Sequence, residues 1–272
     1  MRIACRTTGR RKVLAIEHGF HGRTAAAGAV TWKSAGRWYG FPVTPCDVDF
    51  IPRDDVDAAQ AMIDDSVAAV ICEPVQGVAG AYDLSGEFVK ALRDETARAG
   101  AILIADEVQS GMGRTGHFFA VQHSDVEPDI LTAAKSLGGG IPCGALLTTE
   151  ALSAELQVGD LGTTFGGGPL AAAAIVAVID AIHAENLLDN VREREAEIHA
   201  QCITGPVTGI QGKGFLTGLI CDRPAKDVRN ALLDRDILTG TSADPAVLRL
   251  LPPLVLEATH VKRLAAALND IA

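Results

Sequence analysis

Aromatic residues are scarce. Only 4% of the 272 residues are Phe, Trp or Tyr, so a core has to be built mainly from Ala, Val, Leu and Ile. Positive charge is also short: 24 Lys and Arg face 34 Asp and Glu, a formal net charge of -10. That disfavours a nucleic-acid partner, because phosphate binding wants a basic face. It leaves room for small anionic substrates, which a few local cations can hold. No two of the six cysteines (Cys5, Cys46, Cys72, Cys143, Cys202, Cys221) form a CxxC pair. Nothing therefore signals a zinc or dithiol site, and a chain this long needs no disulfide staples. The thiols read as reduced, in a cytoplasmic protein with no metal site. No apolar run reaches the roughly 20 residues of a membrane helix. The longest, Leu170 to Ile179, stops at Asp180 and reads as a buried helix. The N-terminus, MRIACRTTGRRK, is basic but has no apolar segment behind it, so it is not a secretory signal.

What is present suits a folded chain: 48% hydrophobic and 21% charged residues, enough for one large domain or a large and a small one. Short apolar runs at 12–16, 67–75, 101–108, 129–135 and 144–149 read as strands. Helical patterns lie between them, such as Gly86 to Ala99 with Phe88, Val89 and Leu92 at helical spacing. Alternation of this kind predicts an α/β fold with a mostly parallel sheet sandwiched by helices.

From Gly166 the character changes. GGGP (166–169) opens an Ala-rich helix to about Glu185, and a charged helix spans Leu187 to Ala200. Short strands at 209–222, a helix from Ala225 to Asp234, a strand at 248–256 and a helix from Thr259 to Ala272 follow. The expected division is a large domain, 1–185, and a small C-terminal α+β domain, 186–272. At the other end, MRIACRTTGR reads as the close of an amphipathic helix stopped by Gly9, with Met1 internal to a longer protein.

Ligands of open parallel sheets bind beyond the C-terminal strand ends. There, Asp106 follows AILIA and Lys135 follows DILTAA. A carboxylate in an apolar surround is costly without a cationic partner, although an isolated Asp is more often a cap. Lysine is rarely buried without a task, and burial lowers its pKa and makes it a nucleophile; the plainer alternative is a snorkelling surface lysine. Gly138, Gly139 and Gly140 would let backbone approach a flat ligand. GFHGRT (19–24) and GTTFGGGP (162–169) add an aromatic, cations and a composition suited to a phosphate, or else a polar turn and an ordinary helix entry. Gly111, Gly113 and Gly116 fit GxGxxG, but DEVQS separates them from the strand and no phosphate-capping helix follows, so a dinucleotide site is a poor reading.

The order of these blocks is more telling than any one of them. EHGFHGRT, ICEPVQGVAG, ADEVQSGMGRTG, PDILTAAKSLGGGIP and GTTFGGGPLA together resemble the motif series of the class III, fold type I, aminotransferases. The acetylornithine and ornithine enzymes are the most similar, and the resemblance runs over essentially the whole chain. It implies pyridoxal 5'-phosphate (PLP), held covalently by Lys135, which also moves the substrate proton, with Asp106 on the ring nitrogen. It further implies Val108 and Phe20 on the two ring faces, Gln109 near the ring hydroxyl, and Thr164 on the phosphate from the neighbouring subunit of a homodimer. Arg23 and Arg249 are implied as carboxylate clamps, with no metal. The implied reaction transfers an amino group from an N-acylated diamino acid such as N-acetylornithine to a 2-oxo acid, 2-oxoglutarate, by a ping-pong route. Ornithine, succinyl-diaminopimelate and 4-aminobutyrate are alternative donors.

Two departures stand out. Val78 occupies a position where the family often has a glutamate that masks the C-terminal arginine, so Arg249 is expected to stay free. The family's upstream phosphate-binding turn and edge strand have no counterpart before MRIAC, which predicts weak PLP binding or a non-catalytic remnant.

Overall fold

The computed structural model describes residues 1–271. Ala272, the expected end of the last helix, lies outside the described residues. The chain divides into two compact units. One comprises Met1–Pro74, Leu84–Val108 and Val121–Val178; the other comprises Val75–Asp83, Gln109–Ala120 and Ile179–Ala272.

The first unit is built on six strands: β1 (Lys12–Ile16), β2 (Asp47–Ile51), β3 (Val67–Cys72), β4 (Ile102–Asp106), β5 (Ile130–Ala133) and β6 (Ala145–Thr148), in the order β2-β1-β3-β4-β5-β6. The first five run parallel and β6 closes the sheet antiparallel to β5. Every residue of β3 is buried, as a central strand covered on both faces requires. It ends earlier than 75, because Glu73 turns away and Pro74 cannot donate to a ladder. The β2 strand has no counterpart among the expected strands: DVDFI carries two exposed aspartates on a sheet edge and lacks an apolar run.

Five helices belong to this unit: α1 (Arg2–Thr8), α2 (Ala25–Ala29), α3 (Val56–Met62), α4 (Gly86–Ala99) and α5 (Glu150–Ala154). The first ends at Gly9 in the left-handed conformation, as expected. In α4, Ser85 caps the Phe88 amide and Gly100 ends the helix at φ 63. Its Phe88, Val89, Leu92, Thr96 and Ala99 form one buried face. Burying Phe or Leu contributes about 1.5–3 kcal/mol each, so Leu92→Ala breaks this contact most directly.

The Ala-rich helix α6 (Pro169–Ala184) corrects an expectation. Only Ile182 is buried; Leu170 and Val176 are 71% and 58% exposed. A helix apolar on every side reads as buried from composition, whatever covers it.

The second unit holds an antiparallel sheet of β7 (Val207–Lys213), β8 (Leu216–Cys221), β9 (Gly240–Thr241) and β10 (Val247–Leu250), in the order β9-β10-β8-β7. Its helices are α7 (Leu187–Gln201), α8 (Ala225–Leu233) and α9 (Ala258–Asn269). Phe215, Leu219, Val228, Leu232, Leu248, Val261 and Leu268 share its core. The strand expected at 248–256 ends at Leu250, before Pro252 and Pro253. No single helix among the described residues is long and apolar enough to cross a membrane.

Candidate active site

Four adjacent parallel strands of the first unit, β1, β3, β4 and β5, end on the same side, and the chemistry-bearing residues follow those ends. Asp106 closes β4 and is 6% exposed. Its Oδ2 accepts a 2.8 Å hydrogen bond from His21 Nδ1. Its Oδ1 accepts from the Val108 amide and from Thr132 Oγ1, both at 3.2 Å. Thr132 is its register partner on β5. Three donors offset the cost of desolvating this carboxylate. The His21 side chain is 1% exposed, and its Nε2 is buried without a hydrogen-bond partner among the described residues.

Glu73, after β3, is the second buried carboxyl, 3% exposed. Its Oε1 accepts from the Phe20 amide at 2.7 Å, which ties the GFHGRT turn to the end of β3. Burial pushes its pKa up to about 7; Asp106 adds to the rise, while His21, the Phe20 amide and Lys135 oppose it. A third carboxyl, Glu107, accepts the Val121 amide at 2.7 Å and so anchors the chain's return after the 109–120 segment.

Lys135 opens a 3-10 turn, Lys135–Gly138, directly after β5. It has φ 50, a left-handed conformation that is uncommon outside glycine and clusters at functional sites. Its expected burial is corrected: the residue is exposed, because the turn carries it past the strand end. Phe20 and Val108 are partly exposed, flanking His21 and Asp106 in sequence. Arg23 is exposed, with its guanidinium carbon 4.8 Å from the centre of the Trp38 ring. Thr164 lies in the exposed stretch 161–167 and makes none of the bonds that hold Asp106.

In the second unit, the Gln109 side chain lies so close to Gly77 that a Cβ there would collide with its amide. Arg249, on β10, donates from Nε to the Thr241 carbonyl and from an Nη to the Gly77 carbonyl, each at 2.9 Å. The expectation of a free Arg249 is thereby corrected: the Thr241 and Gly77 carbonyls both accept from its guanidinium. Gly113 and Gly116 sit in turns with positive φ and only a short 3-10 turn, Ala120–Ser124, follows them, so the GxGxxG spacing lacks a dinucleotide context.

His21, Thr132 and Glu73 gather around Asp106 without having been singled out. Glu73 carried a usable signal, since a carboxyl directly after an all-apolar strand repeats the placing of Asp106. A buried, three-donor carboxylate beside an amine on the next strand end suits a cofactor with a cationic ring nitrogen and an aldehyde, and the residues fit PLP on that chemistry.

A family model described as aminotransferase class-III matches residues 1–272. The acetylornithine aminotransferase of Methanopyrus kandleri is 42% identical over 276 residues, covering 99% of this chain and 70% of the relative. The acetylornithine aminotransferase of Streptomyces coelicolor is 42% identical over 271 residues, covering 98% and 67%. The crystal structure of the ornithine aminotransferase from Toxoplasma gondii matches with a TM-score of 0.90 at 27% identity, covering 99% of this chain and 67% of that one.

Proposed function

This chain belongs to the class-III aminotransferases, a family of PLP-dependent enzymes, and we propose that it moves an amino group from an N-acylated diamino acid of the N-acetylornithine kind to 2-oxoglutarate. The observation that carries the donor assignment is the 42% identity to acetylornithine aminotransferases over nearly the whole chain.

Bound PLP supplies the electron sink for amino transfer. The protein's part falls to its own side chains. Lys135 would hold the cofactor covalently through its amine and would serve as the base that takes and returns the proton at the substrate carbon. Asp106 would face the ring nitrogen of bound PLP, and its three donors fix the direction of its carboxyl group. Phe20 and Val108 would cover the two faces of the ring. Arg23 offers a guanidinium fork to a substrate carboxylate. By family resemblance, Gln109 serves the ring hydroxyl and Arg249 a second carboxylate. The expected order is ping-pong, in which the product of the donor would leave before the oxo acid binds.

A homodimer, with Thr164 reaching the partner's phosphate group, fits the exposed apolar side chains around it. Val158, Leu161, Phe165 and Leu170 all lie open, Phe165 at 94%. Apolar surface of this extent marks interaction sites. Light scattering on the purified chain reads the assembly directly, and a monomer at micromolar concentration would remove the dimer from this reading.

The donor is tested by supplying N-acetylornithine, ornithine, succinyl-diaminopimelate or 4-aminobutyrate with 2-oxoglutarate and PLP and measuring glutamate formed. N-acetylornithine is expected to give the highest kcat/KM. A higher value for another donor replaces the assignment. A chain that retains PLP yet turns over none of them overturns the proposed activity.

A further inference from the structure

Arg23 is expected to meet a carboxylate, yet it sits exposed on a chain segment just before the short helix α2. A long cation in water spends most of its time away from any one geometry, at a side-chain entropy cost when it is captured. What the structure places beneath it is the Trp38 indole, 4.8 Å from the guanidinium carbon.

The indole is itself fixed by a strap, residues 34–39, built onto α2. Ser34 is 3% exposed and its hydroxyl donates to the Gly28 carbonyl at 2.6 Å. The Trp38 and Tyr39 amides both return to the Ser34 carbonyl, at 3.0 and 3.1 Å. The Tyr39 hydroxyl, from a ring 8% exposed, donates to the Ala25 carbonyl at 2.9 Å. Gly28 makes the close approach possible: a Cβ there would lie 3.1 Å from the Tyr39 ring and 3.4 Å from the indole.

Stacking uses the face of a guanidinium and leaves its in-plane N–H edges open, and those edges match a carboxylate bidentately. We propose that Trp38 is a positioning residue that holds Arg23 by its face and presents its edge to the α-carboxylate of the amino donor. The indole thereby sets the discrimination between donors that carry that carboxylate and donors that lack it. This rests on the reading of Arg23 as a carboxylate clamp.

The test compares N-acetylornithine with N-acetylputrescine, which lacks only the carboxylate. Dissociation constants are measured by calorimetry in a Lys135→Ala background, where no turnover occurs. Trp38→Leu is expected to weaken N-acetylornithine about two- to five-fold, the range of an exposed cation–π contact. Trp38→Phe should restore most of that loss, because it keeps an aromatic face. N-acetylputrescine should bind all these variants alike. Arg23→Gln should weaken N-acetylornithine about tenfold or more.

The possible failures separate. If Trp38→Leu leaves N-acetylornithine unchanged while Arg23→Gln weakens it, the role of Trp38 is overturned and the clamp stands. Equal weakening of both ligands by Trp38→Leu points to a general structural role and also overturns the proposal. If Arg23→Gln changes nothing, or the background binds neither ligand, the clamp fails and the proposal with it.

Discussion

His21 and Asp106 are joined by a 2.8 Å hydrogen bond across two strand ends, with the histidine side chain 1% exposed and the carboxylate side chain 8% exposed. The pair couples the turn after β1 to the end of β4. The imidazole N–H makes the shortest of the three hydrogen bonds that Asp106 accepts. The orientation of Asp106, the proposed ring-nitrogen partner, thus depends on a residue 85 positions earlier in the chain.

His21→Leu tests that dependence. It leaves one oxygen of a buried carboxylate without its donor, which costs about 1–3 kcal/mol. The variant should unfold at lower urea, and it should also release PLP more readily in equilibrium dialysis, because Asp106 loses its fixed direction. A variant that keeps both its midpoint and its PLP affinity would show that Val108 and Thr132 suffice.

Glu73 makes the chain's stability depend on pH. Its folded-state pKa is raised to about 7 by burial, whereas an unfolded glutamate titrates near 4.3. Between those values the folded state binds more protons than the unfolded one, so stability falls as pH rises. The contribution is whole below about pH 4 and lost by about pH 7, in total about 4 kcal/mol. Glu73→Gln keeps an oxygen for the Phe20 amide and removes the titration. Urea unfolding at pH 5 and pH 8 should show a smaller loss in the variant than in the parent. Parallel losses would place the proton elsewhere.

Much of the first unit was legible because β1, β3, β4 and β5 are largely apolar runs, and Asp106, Lys135 and the Phe20 turn stand out at or after their ends. The relations among those residues were not legible. That His21 rather than any nearer residue binds Asp106 follows from β1 and β4 ending on one side of the sheet with β3 between them, and this order is set by tertiary packing. The β2 strand was hidden for a different reason. An edge strand needs only one buried position, Ile51, and its aspartates read as loop. The exposure of Lys135 matches the surface-lysine alternative, but strand-end spacing does not reveal the left-handed turn that produces it.

Lys135→Ala removes the proposed covalent anchor. The parent chain with added PLP should show a visible absorption band that borohydride bleaches with retention of the cofactor on the protein; the variant should show no such retention. Lys135→Arg should behave like the alanine variant, because a guanidinium stays protonated and is no nucleophile. Because φ 50 is a strained value for any residue with a Cβ, Lys135→Gly should be at least as stable as Lys135→Ala to urea. Cofactor retained covalently in either anchor-less variant would move the attachment to another amine.

Val78→Glu probes how the second unit holds Arg249. The arginine donates to the Gly77 carbonyl, one residue before Val78, and to the Thr241 carbonyl. Both are neutral acceptors, and hydrogen bonds to a charged acceptor are roughly twice as strong. A glutamate at 78 can therefore compete for the guanidinium and draw it from those carbonyls, neutralising a charge that an α-carboxylate would otherwise meet. The expected result is a several-fold shift of kcat/KM toward N-acetylornithine over glutamate, the two donors reacting through a terminal and an α-amine. The comparison should be made at low and high salt, since a newly formed ion pair at a partly exposed site weakens with ionic strength. A ratio that stays at the parent value under both conditions would mean that the backbone carbonyls already hold Arg249 as firmly as a carboxylate could, and that the valine has no bearing on donor choice.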